Sequence, residues 1–143
     1  MSQFAVHKTI TINATPEKVW DALTNPEKTK KYFFNCEVIS GWKEGDTITF
    51  KGRMFLIMKI EMTGKIVKAI PGKLLQYTLQ NKSASDGSFS TVTDELTYQN
   101  GVTILSITDD VGDGPEAEKR QKKSEKGWDK ILNGLKELVE AEA

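Results

Sequence analysis

The C-terminal stretch constrains this chain most. From Pro115 it reads "PEAEKRQKKSEKGWDKILNGLKELVEAEA". Trp128, Ile131, Leu132, Leu135, Leu138 and Val139 recur at i, i+3, i+4, i+7 spacing. That spacing predicts a long helix, starting near Pro115, with one apolar stripe. A stripe must be buried against something, and almost everything before it is β-like as far as residue 109. One helix stripe over one sheet face is the α+β solution.

The segments preceding the helix give its partner. "FAVHKTITIN" (4–13) alternates, with Phe4, Val6, Ile10, Ile12 and Lys8 on one face and His7, Thr9 and Thr11 on the other. Thr15-Pro16 and Asn25-Pro26 each read as an N-cap followed by Pro at the first helical position, predicting short helices over about 16–23 and 26–32. "CEVIS" and "TITFK" read as short strands. "MFLIMKIEMTGKIVKAI" reads as one long strand, bent or bulged at Gly64. Pro71-Gly72 turns the chain into "KLLQYTLQ", and "KSASDGS" is a polar loop. Short connections imply an antiparallel meander. The expected architecture is a curved antiparallel sheet of about six to seven strands around the C-terminal helix, with two short helices after the first strand. The chain, 1–143, is expected to be one domain.

The last hairpin, "STVTDELTYQNGVTILSIT", carries the most pointed question. Asn100-Gly101 fits a type I′ turn, which needs positive φ at both central positions. With that turn, Tyr98 opposes Thr103, Leu96 opposes Leu105, Asp94 opposes Ile107 and Val92 opposes Asp109. The more apolar face, assigned to the interior, carries Val92, Asp94, Leu96, Tyr98, Leu105 and Ile107. Asp94 therefore points inward. The same reasoning at Pro71-Gly72 places Tyr77, Leu75, Ile66 and Lys68 inside. An isolated buried charge is costly, so Asp94 and Lys68 are expected to pair or to sit at wet ends of a pocket.

The long helix also predicts where a pocket lies. Its stripe, extended backwards, meets Ser124 or Glu125, then Gln121, then Ala117, all small or polar. The second half plugs the sheet and the first half leaves it underfilled, or else extends over solvent. Met54, Leu56, Met58, Ile60 and Met62 share a face by period 2, and methionine suits adaptable apolar surfaces. Tyr32, Phe33 and Phe34 either line that space or fasten the second short helix. The candidate ligand-binding set is Asp94, Tyr98, Tyr77, Lys68, Met58, Met62, Phe33, Gln121 and Ser124.

Little catalytic or metal chemistry can be assembled. The single His7 is expected to face outward, which leaves no Ser-His-Asp set. The lone Cys36 shares a face with Val38 and reads as a buried structural thiol. One Cys and one His make no zinc pattern. "DDVGDG" lacks a calcium loop's ligand spacing and reads as a loop into the last helix. No catalytic residue, metal or cofactor is expected. Lys plus Arg equals Asp plus Glu, at 20 each, which argues against nucleic acid and anionic membranes as partners. No apolar run approaches the ~20 residues of a membrane span. "MSQFAVHKTI" has no signal-peptide pattern, and a single cysteine fits a reducing cytosol, so a cytoplasmic monomer is expected.

Four stretches together resemble the START-like helix-grip superfamily (SRPBCC). They are "ITINATPEKVWDALTNPEKTKKYF", "GKIVKAIPGKLLQYT", "VTDELTYQNGVTILSI" and "GWDKILNGLKELVE". More closely they resemble the family named for the activator of heat-shock-protein-90 ATPase, in its small stand-alone form. The resemblance implies a sheet gripping the C-terminal helix with a pocket between them. It implies no one activity, since the fold hosts lipid carriers, hormone receptors, polyketide cyclases and co-chaperone domains. Eukaryotic activators carry a further N-terminal domain that makes much of the chaperone contact, whereas this chain starts at the first strand of the helix-grip domain. The leading expectation is therefore a binding module for a small, mostly apolar molecule. A chaperone-interacting, stress-related protein comes second, and a cyclase- or hydrolase-like enzyme using Asp94 or Tyr98 third.

Overall fold

A computed structural model describes residues 4–54, 58–80, 89–112 and 116–142. The elements are β1 (Ala5–Ile12), α1 (Pro16–Thr24), α2 (Pro26–Tyr32), β2 (Glu37–Ser40), β3 (Thr47–Met54), β4 (Met58–Ile70), β5 (Leu74–Gln80), β6 (Phe89–Gln99), β7 (Val102–Asp110) and α3 (Ala117–Glu142). The strands form one curved seven-stranded antiparallel sheet in the order β1-β7-β6-β5-β4-β3-β2. The helices lie on one face, as an α+β helix-grip fold requires. Among the described residues no helix is long and apolar enough to cross a membrane.

The short helices start where the Pro signals place them. Asn25 caps α2, its side chain accepting a hydrogen bond from the Glu27 amide at 3.1 Å, while Thr15 precedes α1 without a side-chain cap bond. The Tyr32 hydroxyl donates to the Ala22 carbonyl at 2.7 Å and ties α2 back to α1. Asn100 and Gly101 sit at φ 51° and 84°, the left-handed conformation that a type I′ turn needs. The β6–β7 register is the one read from that turn, with Asp94 opposite Ile107 and Val92 opposite Asp109.

Two strand readings need correction. The stretch expected to be one long strand from Met54 is divided. Met54 ends β3, Met58 begins β4, and the two residues pair across the ladder. The segment between them, "FLI", has no Gly, Pro, Asn or Asp to signal a turn. Residues 55–57 and the "KSASDGS" loop lie outside the described residues, as do the side chains of Met54, Met58 and Ile60. The irregularity expected at Gly64 falls later, between Ile66 and Lys68. Gly64 has another role. A Cβ there would collide with the Thr78 carbonyl oxygen, so the backbones of β4 and β5 approach too closely for any side chain.

The core sits between the sheet and α3. Ile12, Val19, Ile48, Phe50, Leu105 and Leu135 are buried within it. The C-terminal half of α3 is clamped to the β1 side of the sheet. Lys136 donates to the Thr11 carbonyl at 2.5 Å, the Asn13 amide donates to Glu140 at 2.9 Å, and Lys8 pairs with Asp129 at 3.0 Å. Further up the helix, Gln121 donates to the Ala5 carbonyl at 3.2 Å and Arg120 to the Val111 carbonyl at 3.2 Å. These bonds hold α3 along the β1–β7 side.

Candidate functional site

Two of the spaces adjoining α3 share part of their lining. The inner one, of about 20 Å³, has room for roughly one water. Its lining includes Tyr32, Phe50, Leu75, Tyr77, Asp94 and Ile107. The second is a groove of about 480 Å³ beneath the N-terminal half of α3. Met62, Leu79, Ser90 and Asp109 contribute to it from the sheet, and Lys123, Ser124 and Gly127 from the helix. Phe33, Trp128 and Ile131 line both spaces and so form their common wall. Phe33 packs its ring against Phe50 at 5.2 Å and against Trp128 edge-on at 5.9 Å.

Two carboxylates are embedded in this region. Asp94 on β6 is 3 % exposed and Asp109 on β7 is 7 % exposed. The register sets them diagonally on one face of neighbouring strands. Asp109 Oδ2 accepts from Ser124 Oγ at 2.5 Å and from Trp128 Nε1 at 2.9 Å. Among the described residues, neither Asp94 Oδ1 nor Asp109 Oδ1 has a hydrogen-bond partner. Burial pushes the Asp94 carboxyl up to about 7, with the Asp109 charge adding to it. Burial also raises Asp109, and the bonds from Ser124 and Trp128 oppose that rise. Buried Tyr77 is likewise held well above the usual phenol range, first by burial.

The sequence-predicted set divides accordingly. Asp94 and Tyr77 line the inner space, Phe33 lines both spaces, and Met62 and Ser124 line the groove. The Met58 side chain is outside the described residues. Three residues are placed differently from expectation. Lys68 is exposed and opposes Gln76 rather than Leu75. The irregularity after Ile66 shifts the register by one residue, which turns the lysine to the other face. No Asp94–Lys68 pair forms. Tyr98 is 52 % exposed. Its partner Thr103 is buried by donating to the Ala14 carbonyl at 2.7 Å, but that cover does not extend to Tyr98 at the hairpin end. Gln121 spends its amide on the Ala5 carbonyl and is not among the groove residues.

Other expectations concern groups away from the site. His7 is exposed, within 3.2 Å of the Thr108 hydroxyl. Cys36 is buried, and burial raises its thiol. Among the described residues no cluster of His, Cys, Asp or Glu is suited to a metal ion. Asp109 is the residue that sequence reasoning assigns to a loop instead of the site. The register that turns Asp94 inward also sets Asp109 opposite Val92, and that was the signal available for it.

The family model for "Activator of Hsp90 ATPase homolog 1-like protein" matches residues 13–140. No curated protein matches the chain. Among solved structures, ChR145 from Cytophaga hutchinsonii is 35% identical, with 99% of this chain and 98% of that one covered and a TM-score of 0.79. MLL2253 from Mesorhizobium loti is 22% identical, with 96% and 97% covered and a TM-score of 0.80. The Aha1 dimer from Colwellia psychrerythraea is 21% identical, with 95% and 96% covered and a TM-score of 0.76. The last two likenesses concern the fold. The extent of the family match and the likeness to the Cytophaga protein carry the conclusion that this chain belongs to the Activator of Hsp90 ATPase homolog 1-like family.

Proposed function

We propose that the protein binds a small, mostly apolar molecule, a lipid or aromatic metabolite, without transforming it. The observation that supports this reading is the groove beneath α3. There the first turns of the helix, before Trp128, carry no apolar stripe, while Met62, Leu79, Val111 and Phe33 still present apolar surface. Ligand pockets are characteristically apolar concavities with a few placed polar groups, and Ser124 and Asp109 supply such groups here. The proposed contact set is Phe33, Met62, Asp109, Ser124 and Trp128, with Asp94 and Tyr77 behind the common wall. A thermal-shift panel of lipids and aromatic metabolites tests this. At least one should raise Tm by several degrees, as a ligand that binds only the folded state must. A full panel without a shift in Tm or in NMR spectra removes the reading. We further propose a cytoplasmic monomer, and sedimentation at a dimer's mass would overturn the monomer.

A second reading, docking on a chaperone, draws on the family's description and on the Colwellia neighbour's name. It requires co-purification with a chaperone or stimulation of its ATPase, and the absence of both would end it.

A further inference from the structure

The groove's polar groups point to a narrower ligand class. Asp94 and Asp109 each bury an oxygen that no group satisfies among the described residues. Such an acceptor is costly to bury unless something donates to it. Neither oxygen is open to solvent; Asp109 lines the groove itself, while Asp94 lies behind the wall of Phe33, Trp128 and Ile131 that the groove shares with the inner space. A molecule lying in the groove meets Asp109 directly and reaches Asp94 only past the Phe33–Trp128 edge contact. What it must bring there is a hydrogen-bond donor.

The solvent-exposed rim of the groove has the opposite character. Lys119 and Lys123 on α3 are exposed and line the groove, alongside Glu116. Neither lysine forms an ion pair among the described residues, whereas Lys122 is engaged by Glu118 at 3.7 Å. Two unpaired ammonium groups favour an anion and disfavour an amine.

Resting on the groove as the binding site, we propose that its ligand is an anionic amphiphile. Its apolar body carries a hydroxyl at the buried end, donated to the Asp94–Asp109 pair, and its negative charge lies beside Lys119 and Lys123. The carboxylate pair is then the end-stop that selects the ligand, and the lysines set its direction.

Four probes of one chain length separate the parts: laurate, ω-hydroxylaurate, ω-methoxylaurate and dodecylamine, titrated at mildly alkaline pH. The hydroxyl donates and the methoxy group only accepts. The hydroxylated probe should bind about tenfold more tightly than the methoxylated one, the worth of one hydrogen bond to a charged group. Laurate should bind more tightly than dodecylamine. In Asp94→Asn,Asp109→Asn the hydroxyl preference should fall below about twofold. If that double variant does not fold, Asp94→Asn alone, which leaves the Ser124 and Trp128 bonds intact, should still reduce the preference. Equal binding of the hydroxyl and methoxy probes overturns the end-stop, and equal binding of laurate and dodecylamine overturns the assigned direction. If no probe binds, the groove reading itself fails.

Discussion

The Asp94 carboxyl is the single group whose environment departs most from that of a surface residue. It is buried opposite Ile107, with Leu75 as its partner on β5 and no ion pair among the described residues. Its pKa is raised from 3.8 to about 7, first by burial. The folded chain therefore holds a proton that the unfolded chain has already released between those values. Stability contributed by this group is complete below the unfolded value and is lost as pH rises towards 7, on the order of 4 kcal/mol in all. Asp94→Asn should flatten the fall in urea midpoint between mildly acidic and neutral pH, leaving a smaller slope from Asp109. An equally steep profile in the variant would show that the carboxyl is not held neutral. Asp109 carries a structural duty as well. Asp109→Ala leaves Ser124 and Trp128 without their acceptor and should cost about 1–3 kcal/mol in denaturant unfolding. Asp109→Asn, which keeps an acceptor, should cost less. Asp94 was legible in the sequence because a type I′ turn fixes register by itself. Lys68 was not, because one extra residue in β4 reverses which face it occupies and no residue type announces that shift.

Among the elements, β4 shows where pattern gives out. It pairs with β3 as far as Lys65 and with β5 from Ile66. The change of partner demands the close approach at Gly64, where any side chain meets the Thr78 backbone. Gly64→Ala should therefore destabilise by more than an ordinary surface change, roughly 3 kcal/mol or beyond, since backbone rather than a flexible side chain must move. A variant with unchanged Tm would contradict that geometry. The glycine could be found in the sequence, but its meaning could not. A bend, a bulge and a close approach all leave the same single Gly in an alternating pattern. The α3 stripe, by contrast, was readable because its period extends over several turns, and Trp128, Ile131, Leu132, Leu135 and Val139 are all buried.

For the molecule as a whole, the central feature is the difference between the two halves of one helix. The C-terminal half fills the sheet and is tied to β1 by Lys136, Glu140 and Asp129. The N-terminal half is held to the same side by Gln121 and leaves the groove beside it. The sequence showed that this half lacks apolar residues. It did not show that Phe33 and Trp128 would divide the space in two, because that depends on how α2 docks against α3. Amide-resolved NMR titration with laurate probes the groove itself. Saturable shifts are expected, concentrated at Phe33, Met62, Asp109, Ser124 and Gly127. Shifts confined to the outer face around Ile39 and Val67, or none at saturating laurate, would contradict binding there.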